Sequence, residues 1–231
     1  MSHDLARKRA LRDLARRAGL QARPDLELLD LALTHESYAA EHPELARSNE
    51  RLEFLGDAIV GAVVAGELYD AHPERREGQL SRMRASLVSQ AALARSAERL
   101  DIGPLIRLGR GERTSGGAKR ASVLADVFEA LVGAAFQMSG MEGARRFVRR
   151  NHLAHAAGSE ASDPKTTLQE LVQAKFKKTP HYAVTAQSGP PHARVFTVSV
   201  QVGDRTLGSG SGSTKKQAQS NAAREALAHL P

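Results

Sequence analysis

The sequence predicts an all-α domain followed by a small α+β module of order α-β-β-β-α, on three observations. Through the first two thirds, apolar residues recur at three- and four-residue spacings, the period of a helix with one buried face. Beyond residue 163 the pattern switches to two helical segments enclosing three short segments of strand character. The charge balance changes at the same place. Residues 163–231 carry nine Lys and Arg against four Asp and Glu, whereas residues 1–162 carry 24 against 22. A neutral helical part and a basic mixed part read as two functional units.

The first unit is expected over residues 1–153. Its N-terminus, SHDLARKRALRDLARRAGL, alternates charge and leucine in helical fashion. DLELLDLALTHESY, ERLEFLGDAIVGAVVAGELYDAHP, QLSRMRASLVSQAALARSAERLDIG and SVLADVFEALVGAAFQMSG follow with helical periodicity. Pro43, Pro73, Gly103-Pro104 and the loop GRGERTSGGAKR separate them, because Pro and Gly interrupt the helical hydrogen-bond ladder. About seven to nine helices are expected. Residues 154–162 are small, polar and weakly patterned, and read as a linker.

The second unit is expected over residues 163–231. PKTTLQELVQAKF places Leu168, Leu171, Val172 and Phe176 on one helix face. HYAVTAQSG, ARVFTVSVQVG and RTLGSGSGS read as strands. In the middle one Phe196, Val198, Val200 and Val202 alternate with Thr197, Ser199 and Gln201. The last helix, within STKKQAQSNAAREALAHL, turns Ala218, Ala222, Ala226 and Leu230 inward.

Composition limits the chemistry. Hydrophobic residues make up 41% of the 231, but aromatics only 4% and there is no Trp, so the core must be built from Ala, Leu and Val. The absence of Cys excludes disulfides and thiolate metal sites and fits a reducing cytoplasm. No long apolar run suggests a membrane span, and the basic N-terminus lacks an apolar stretch of the kind that directs export. The net charge of +7 points to a polyanionic partner.

One stretch conflicts with its surroundings. In ERLEFLGDAIV, Glu50, Glu53 and Asp57 are threaded among Leu52, Leu55, Ile59 and Val60, and after Arg51 no basic residue occurs until Arg75. A second set, Asp126 and Glu129, stands at i,i+3 among Leu124, Val127, Phe128, Leu131 and Val132. Carboxylates at i,i+3 and i,i+4 repel, and burying them without a counter-charge costs on the order of several kcal/mol each. Hard-oxygen ligands suit magnesium or manganese. By residue pattern alone, a solvated helix face and a cation cage both stand.

The basic module has features of a phosphate reader. Gln169 and Gln173 share a helix face opposite the apolar stripe and can donate to hydroxyls. The turn GPPH, residues 189–192, can extend His192 toward a second groove. Lys215 and Lys216 lie at a helix start, where free amides and the helix dipole favour phosphate. The lysines of GSGSGSTKK lack the spacing of a nucleotide-binding P-loop. A solvated basic face is the competing reading.

NERLEFLGDAIV resembles the signature of the ribonuclease III family, and LTHESY, EGQLSRMRASLV, LGRGERTSGG and SVLADVFEALVGA resemble the family's other blocks, in its order. LQELVQ, GPPH and STKKQAQ resemble the three RNA-facing regions of a double-stranded-RNA-binding domain. The resemblance implies an all-α endonuclease domain that acts as a homodimer and cuts both strands of double-stranded RNA, leaving 5′-phosphate and 3′-hydroxyl ends. It implies magnesium as cofactor, with manganese able to substitute. By motif position it makes Glu53, Asp126 and Glu129 metal ligands, Asp57 and Glu129 the catalytic pair, and Glu50 a further acidic residue of the active-site valley. It implies RNA contacts from Gln169, Gln173, His192, Lys215 and Lys216, reading A-form shape. Ribosomal, messenger and transfer RNA precursors are the implied targets.

Other residues carry weaker signals. His35 of LTHESY reads as a structural histidine as readily as an RNA or metal contact, and Arg82 and Arg84 as solvated positions as readily as backbone contacts. Gln137 and Met138 depart from the family pattern, which bears on local packing rather than on the ligands. A non-catalytic double-stranded-RNA-binding protein is the alternative; it gives no reason for acidic residues at Glu53, Asp57, Asp126 and Glu129 together. A small-nucleotide phosphohydrolase would need His-Asp metal pairs in a helical core, and the sequence has none there.

Overall fold

The computed structural model describes residues 2–21, 23–45, 47–156, 164–190 and 194–230. The chain divides into two compact units, Met1–Gly158 and Ser159–Pro231.

The first unit is helical: α1 (Ser2–Arg17), α2 (Leu26–Ala32), α3 (Glu36–Glu41), α4 (Glu50–Ala71), α5 (Glu77–Leu87), α6 (Gln90–Arg99), α7 (Arg110–Thr114), α8 (Ala121–Val148) and a short α9 (Ala154–Ala156). The first three residues of the expected linker are thus helical. The expected loop around GRGERTSGG contains α7 and a 3-10 turn, Gly117–Lys119.

Two long helices, α4 and α8, form the centre. Val60, Val64, Phe128, Leu131 and Val132 are fully buried between them and their neighbours. The scarcity of aromatics shows in the packing: Phe128 and Phe147, with ring centres 5.5 Å apart, are the two largest fully buried side chains, amid Ala, Leu and Val. The segment Ala121–Ala156 is long and apolar enough, by length and composition, to cross a membrane. That corrects the sequence reading of no such run. The physical reason for its composition is burial, since 61% of its apolar window lies inside the unit.

The helix α8 breaks at Ser139 and Gly140, which have non-helical backbone angles. Gly140 takes a φ of 65°, a value that L side chains rarely adopt. The unusual Gln137-Met138 pair directly precedes this break.

The second unit contains α10 (Pro164–Phe176), β1 (His181–Ser188), β2 (Val195–Val202), β3 (Arg205–Gly212) and α11 (Lys215–His229). The strands form one antiparallel sheet in the order β1-β2-β3. Leu168 and Val172 of α10, Val198, Val200 and Val202 of β2, and Ala218, Ala222 and Ala226 of α11 make its core, as the alternation and helical spacing predict. A Cβ on Gly208, Gly210 or Gly212 would stand 2.7, 2.2 or 2.8 Å from backbone nitrogens of Ala226, Ala222 and Ala218. The glycine-rich strand therefore lets α11 lie directly on the sheet.

Candidate metal centre and nucleic-acid interface

The carboxylate site is created by how closely α4 and α8 approach. A Cβ on Gly56 would stand 1.8 Å from the carbonyl oxygen of Glu129, and one on Gly133 would stand 2.3 Å from that of Leu52. The contact is reciprocal: a glycine of each helix receives the backbone of the other. It places Glu53, one turn before Gly56, beside Asp126 and Glu129, two turns and one turn before Gly133. Sequence reasoning missed both glycines, although a glycine inside a helix costs about 1 kcal/mol and so asks for a packing reason.

Carboxylate oxygens of Glu53, Asp126 and Glu129 all lie within 4.8 Å of one another, each side chain half-buried. Burial raises the Glu129 carboxyl to a pKa of about 8, assisted by the charges of Asp57, Asp126 and Glu53. Burial likewise raises Glu53, with further contributions from Asp126, Glu50, Glu36 and Asp57. Asp126 is raised by burial, against which the charge of His35 pulls down. Three hard oxygen donors whose ionisation is resisted by burial, and for Glu53 and Glu129 also by neighbouring carboxylates, are a donor set that a small divalent cation would satisfy.

Asp57 is exposed at the edge of this cluster, near enough for its charge to act on Glu129. Glu50 is also exposed and accepts a 2.5 Å hydrogen bond from Ser48 Oγ. Two residues of LTHESY join the group. His35 caps α3, its Nδ1 accepting from the Ser37 amide at 3.2 Å, and its charge reaches Asp126. Glu36 adds its charge to the field on Glu53. The backbone brings them there: the Asn49 amide, at the start of α4, donates to the Thr34 carbonyl at 2.8 Å, and Thr34 bridges to Arg107. Nothing in the local sequence pattern flags Glu36, because its neighbours in space come from another helix. Arg82 and Arg84 are exposed on α5.

In the second unit Gln169 and Gln173 are exposed on α10, each one residue beyond a buried one, Leu168 and Val172. Thr214 caps α11 by accepting from the Gln217 amide, and Lys215 and Lys216 project at its first turn. The Lys215 ammonium lies 5.9 Å from the centre of the Phe196 ring. His192 lies outside the described residues.

Residues 25–156 match the family described as ribonuclease-III-like, and residues 164–230 match the double-stranded RNA binding motif. The chain belongs to the ribonuclease III family. It is 43% identical to "Ribonuclease 3" of Treponema denticola over 228 residues, which cover 97% of this chain and 92% of that one. It is 44% identical to "Ribonuclease 3" of Thermobifida fusca over 220 residues, covering 94% and 90%. The nuclease domain of ribonuclease III from Campylobacter jejuni, described for structural flexibility in a region involved in dimer formation, superposes with a TM-score of 0.55 at 36% identity. That likeness covers 59% of this chain and 92% of the other. The chain is thus an endoribonuclease with a double-stranded-RNA-binding module, and its carboxylate cluster lies within the ribonuclease III domain.

Proposed function

We propose that this ribonuclease III is a magnesium-dependent homodimer that cleaves both strands of duplex RNA in the cytoplasm, processing ribosomal, messenger and transfer RNA precursors. In this reading residues 1–153 form the nuclease, 154–162 link, and 163–231 hold the duplex. The observation that carries it is the convergence of Glu53, Asp126 and Glu129 from two helices onto one small volume. When bound there, magnesium or manganese would acidify water and neutralise charge building on the leaving oxygen.

The chain's own residues do the rest. Glu53, Asp126 and Glu129 would hold the cation. Asp57, at the exposed edge, orients the attacking water beside Glu129 as the second member of the catalytic pair. Glu50, fixed by Ser48, lines the path of the RNA backbone. Gln169, Gln173 and His192 reach hydroxyls of the minor grooves, and Lys215 and Lys216 hold the phosphates between them. One site cuts one strand, so two sites related by a twofold axis suit the symmetry of a duplex. Phe54, which follows Glu53 on α4, is 81% exposed, and a large apolar side chain so placed is best accounted for by a second copy of α4.

The test is incubation of the purified protein with a labelled RNA hairpin and with a single strand, in magnesium and in calcium. Cleavage of the hairpin alone, with magnesium alone, is expected, leaving 5′-phosphate and 3′-hydroxyl ends. Glu129→Gln should lower the rate by at least 100-fold while leaving hairpin binding within about twofold. Undiminished cleavage by that variant would refute the assignment of the site.

A further inference from the structure

We propose that the helical unit carries a second binding site, for a small phosphate-bearing anion between pyrophosphate and a nucleotide in size. It is a cavity of about 360 Å³ lined by Arg17, Arg99, Leu100, Arg150, Asn151 and His155. It lies where α1 and α6 end and just past the end of α8, whereas Asp126 and Glu129 stand in the first turns of α8. The proposal is independent of the carboxylate site.

Three guanidinium groups line this cavity and no carboxylate does. Among the described residues none of the three forms an ion pair. The chain nevertheless holds all three in place. Arg17 donates to the Leu100 carbonyl at 3.1 Å. Arg99 donates to Ser96 Oγ at 2.7 Å, and that hydroxyl is itself fixed 2.8 Å from Nδ1 of the buried His152. The Arg150 side chain lies over Gly19, where a Cβ would come within 2.7 Å of its Cδ. Burial, with the neighbouring charge of Arg95, lowers the pKa of Arg99, outweighing the opposing charge of Glu98.

Capping of the nearby helix ends accounts for Arg17 alone, whose donation to the Leu100 carbonyl closes α6, and not for Arg99 or Arg150. The Ala18 and Phe147 carbonyls are already taken by the Asn151 side-chain amide, each at 2.9 Å. A guanidinium has five N–H donors, and Arg17 and Arg99 each commit one nitrogen within the described residues, Arg150 none. What remains is a set of planar donor forks lining one cavity, a geometry that matches the paired oxygens of a phosphate group. The volume falls in the range of small-ligand sites, about 300–1,000 Å³. A duplex, a broad rod with phosphates along its outside, would lie across such an opening rather than enter it.

The test is calorimetric titration of the full chain, free of divalent metal and at low chloride, with inorganic pyrophosphate. Saturable binding at one site is expected. An Arg99→Gln/Arg150→Gln double variant should bind at least tenfold more weakly, and Lys215→Ala/Lys216→Ala should bind within twofold of the parent. Arg150→Gln alone, which removes no hydrogen bond among the described residues, should weaken binding in the same direction and covers the case in which the double variant misfolds. Four results would overturn the proposal: no saturable binding, undiminished binding by the arginine variants, equal loss in the lysine variant, or complete displacement of pyrophosphate by one equivalent of a short RNA duplex.

Discussion

At Glu129 an ionisable group has been placed where its charge is unwelcome. Burial, with Asp57, Asp126 and Glu53 nearby, lifts its pKa to about 8 from an ordinary value of 4.5. The folded, metal-free chain therefore binds this proton more tightly than the unfolded chain. The resulting stabilisation is complete below about pH 4.5 and is withdrawn as pH rises through about 8. We expect the melting temperature of metal-free protein to fall across that interval. The side chain is only half-buried and solvent screens it, so the loss should be on the order of 1–2 kcal/mol, or a few degrees. Glu129→Gln should flatten the slope, and thermal melts at several pH values in chelator check it; an unaltered slope would place its origin in other groups. The same protonation opposes the cation, since carboxylate ligands must be deprotonated to bind it.

At the scale of elements, the crossing of α4 and α8 sets the site. Gly56 and Gly133 let two backbones touch, and the ligands sit one or two turns from that contact. A methyl group at either position has no flexible side chain to displace, only a carbonyl oxygen. Gly133→Ala should therefore separate the helices, destabilising the unit by about 1–3 kcal/mol. It should also weaken magnesium binding by at least tenfold, because Glu53 would part from Asp126 and Glu129. Denaturant unfolding and magnesium titration of the variant measure the two effects separately. Native magnesium affinity in a destabilised Gly133→Ala would show that the close approach serves packing alone.

For the whole molecule, charge and apolar exposure are divided between tasks. The exposed Phe54 points to self-association of the helical unit. Burying a phenylalanine is worth about 1.5–3 kcal/mol, and a twofold interface counts it twice. Phe54→Asp should thus weaken the dimer by about 100-fold or more, seen as a monomer in sedimentation; a persistent dimer would move the interface elsewhere. The basic surplus lies in the second unit, where Lys215 and Lys216 project at the start of α11. Replacing both with Ala should weaken duplex binding and reduce the salt dependence by about two counterions' worth. An unchanged slope of affinity against salt would remove them from the phosphate contacts.

The sequence by itself determined the two units, the order of the second one's elements and the inward faces of α10, β2 and α11, because alternation and helical spacing are local properties. It also flagged Glu50, Glu53, Asp57, Asp126 and Glu129, since acidic residues among leucines and valines conflict with their surroundings wherever the chain goes, and the family resemblance chose Glu53, Asp126 and Glu129 among them as ligands. Only the tertiary structure decided that these three carboxylates meet, that Glu36 and His35 add to their field, and that Gly56 and Gly133 permit the meeting. The arginine cavity likewise gathers ends of three helices far apart in the chain. Such features depend on distances between segments, which a one-dimensional pattern does not encode until the helices are packed.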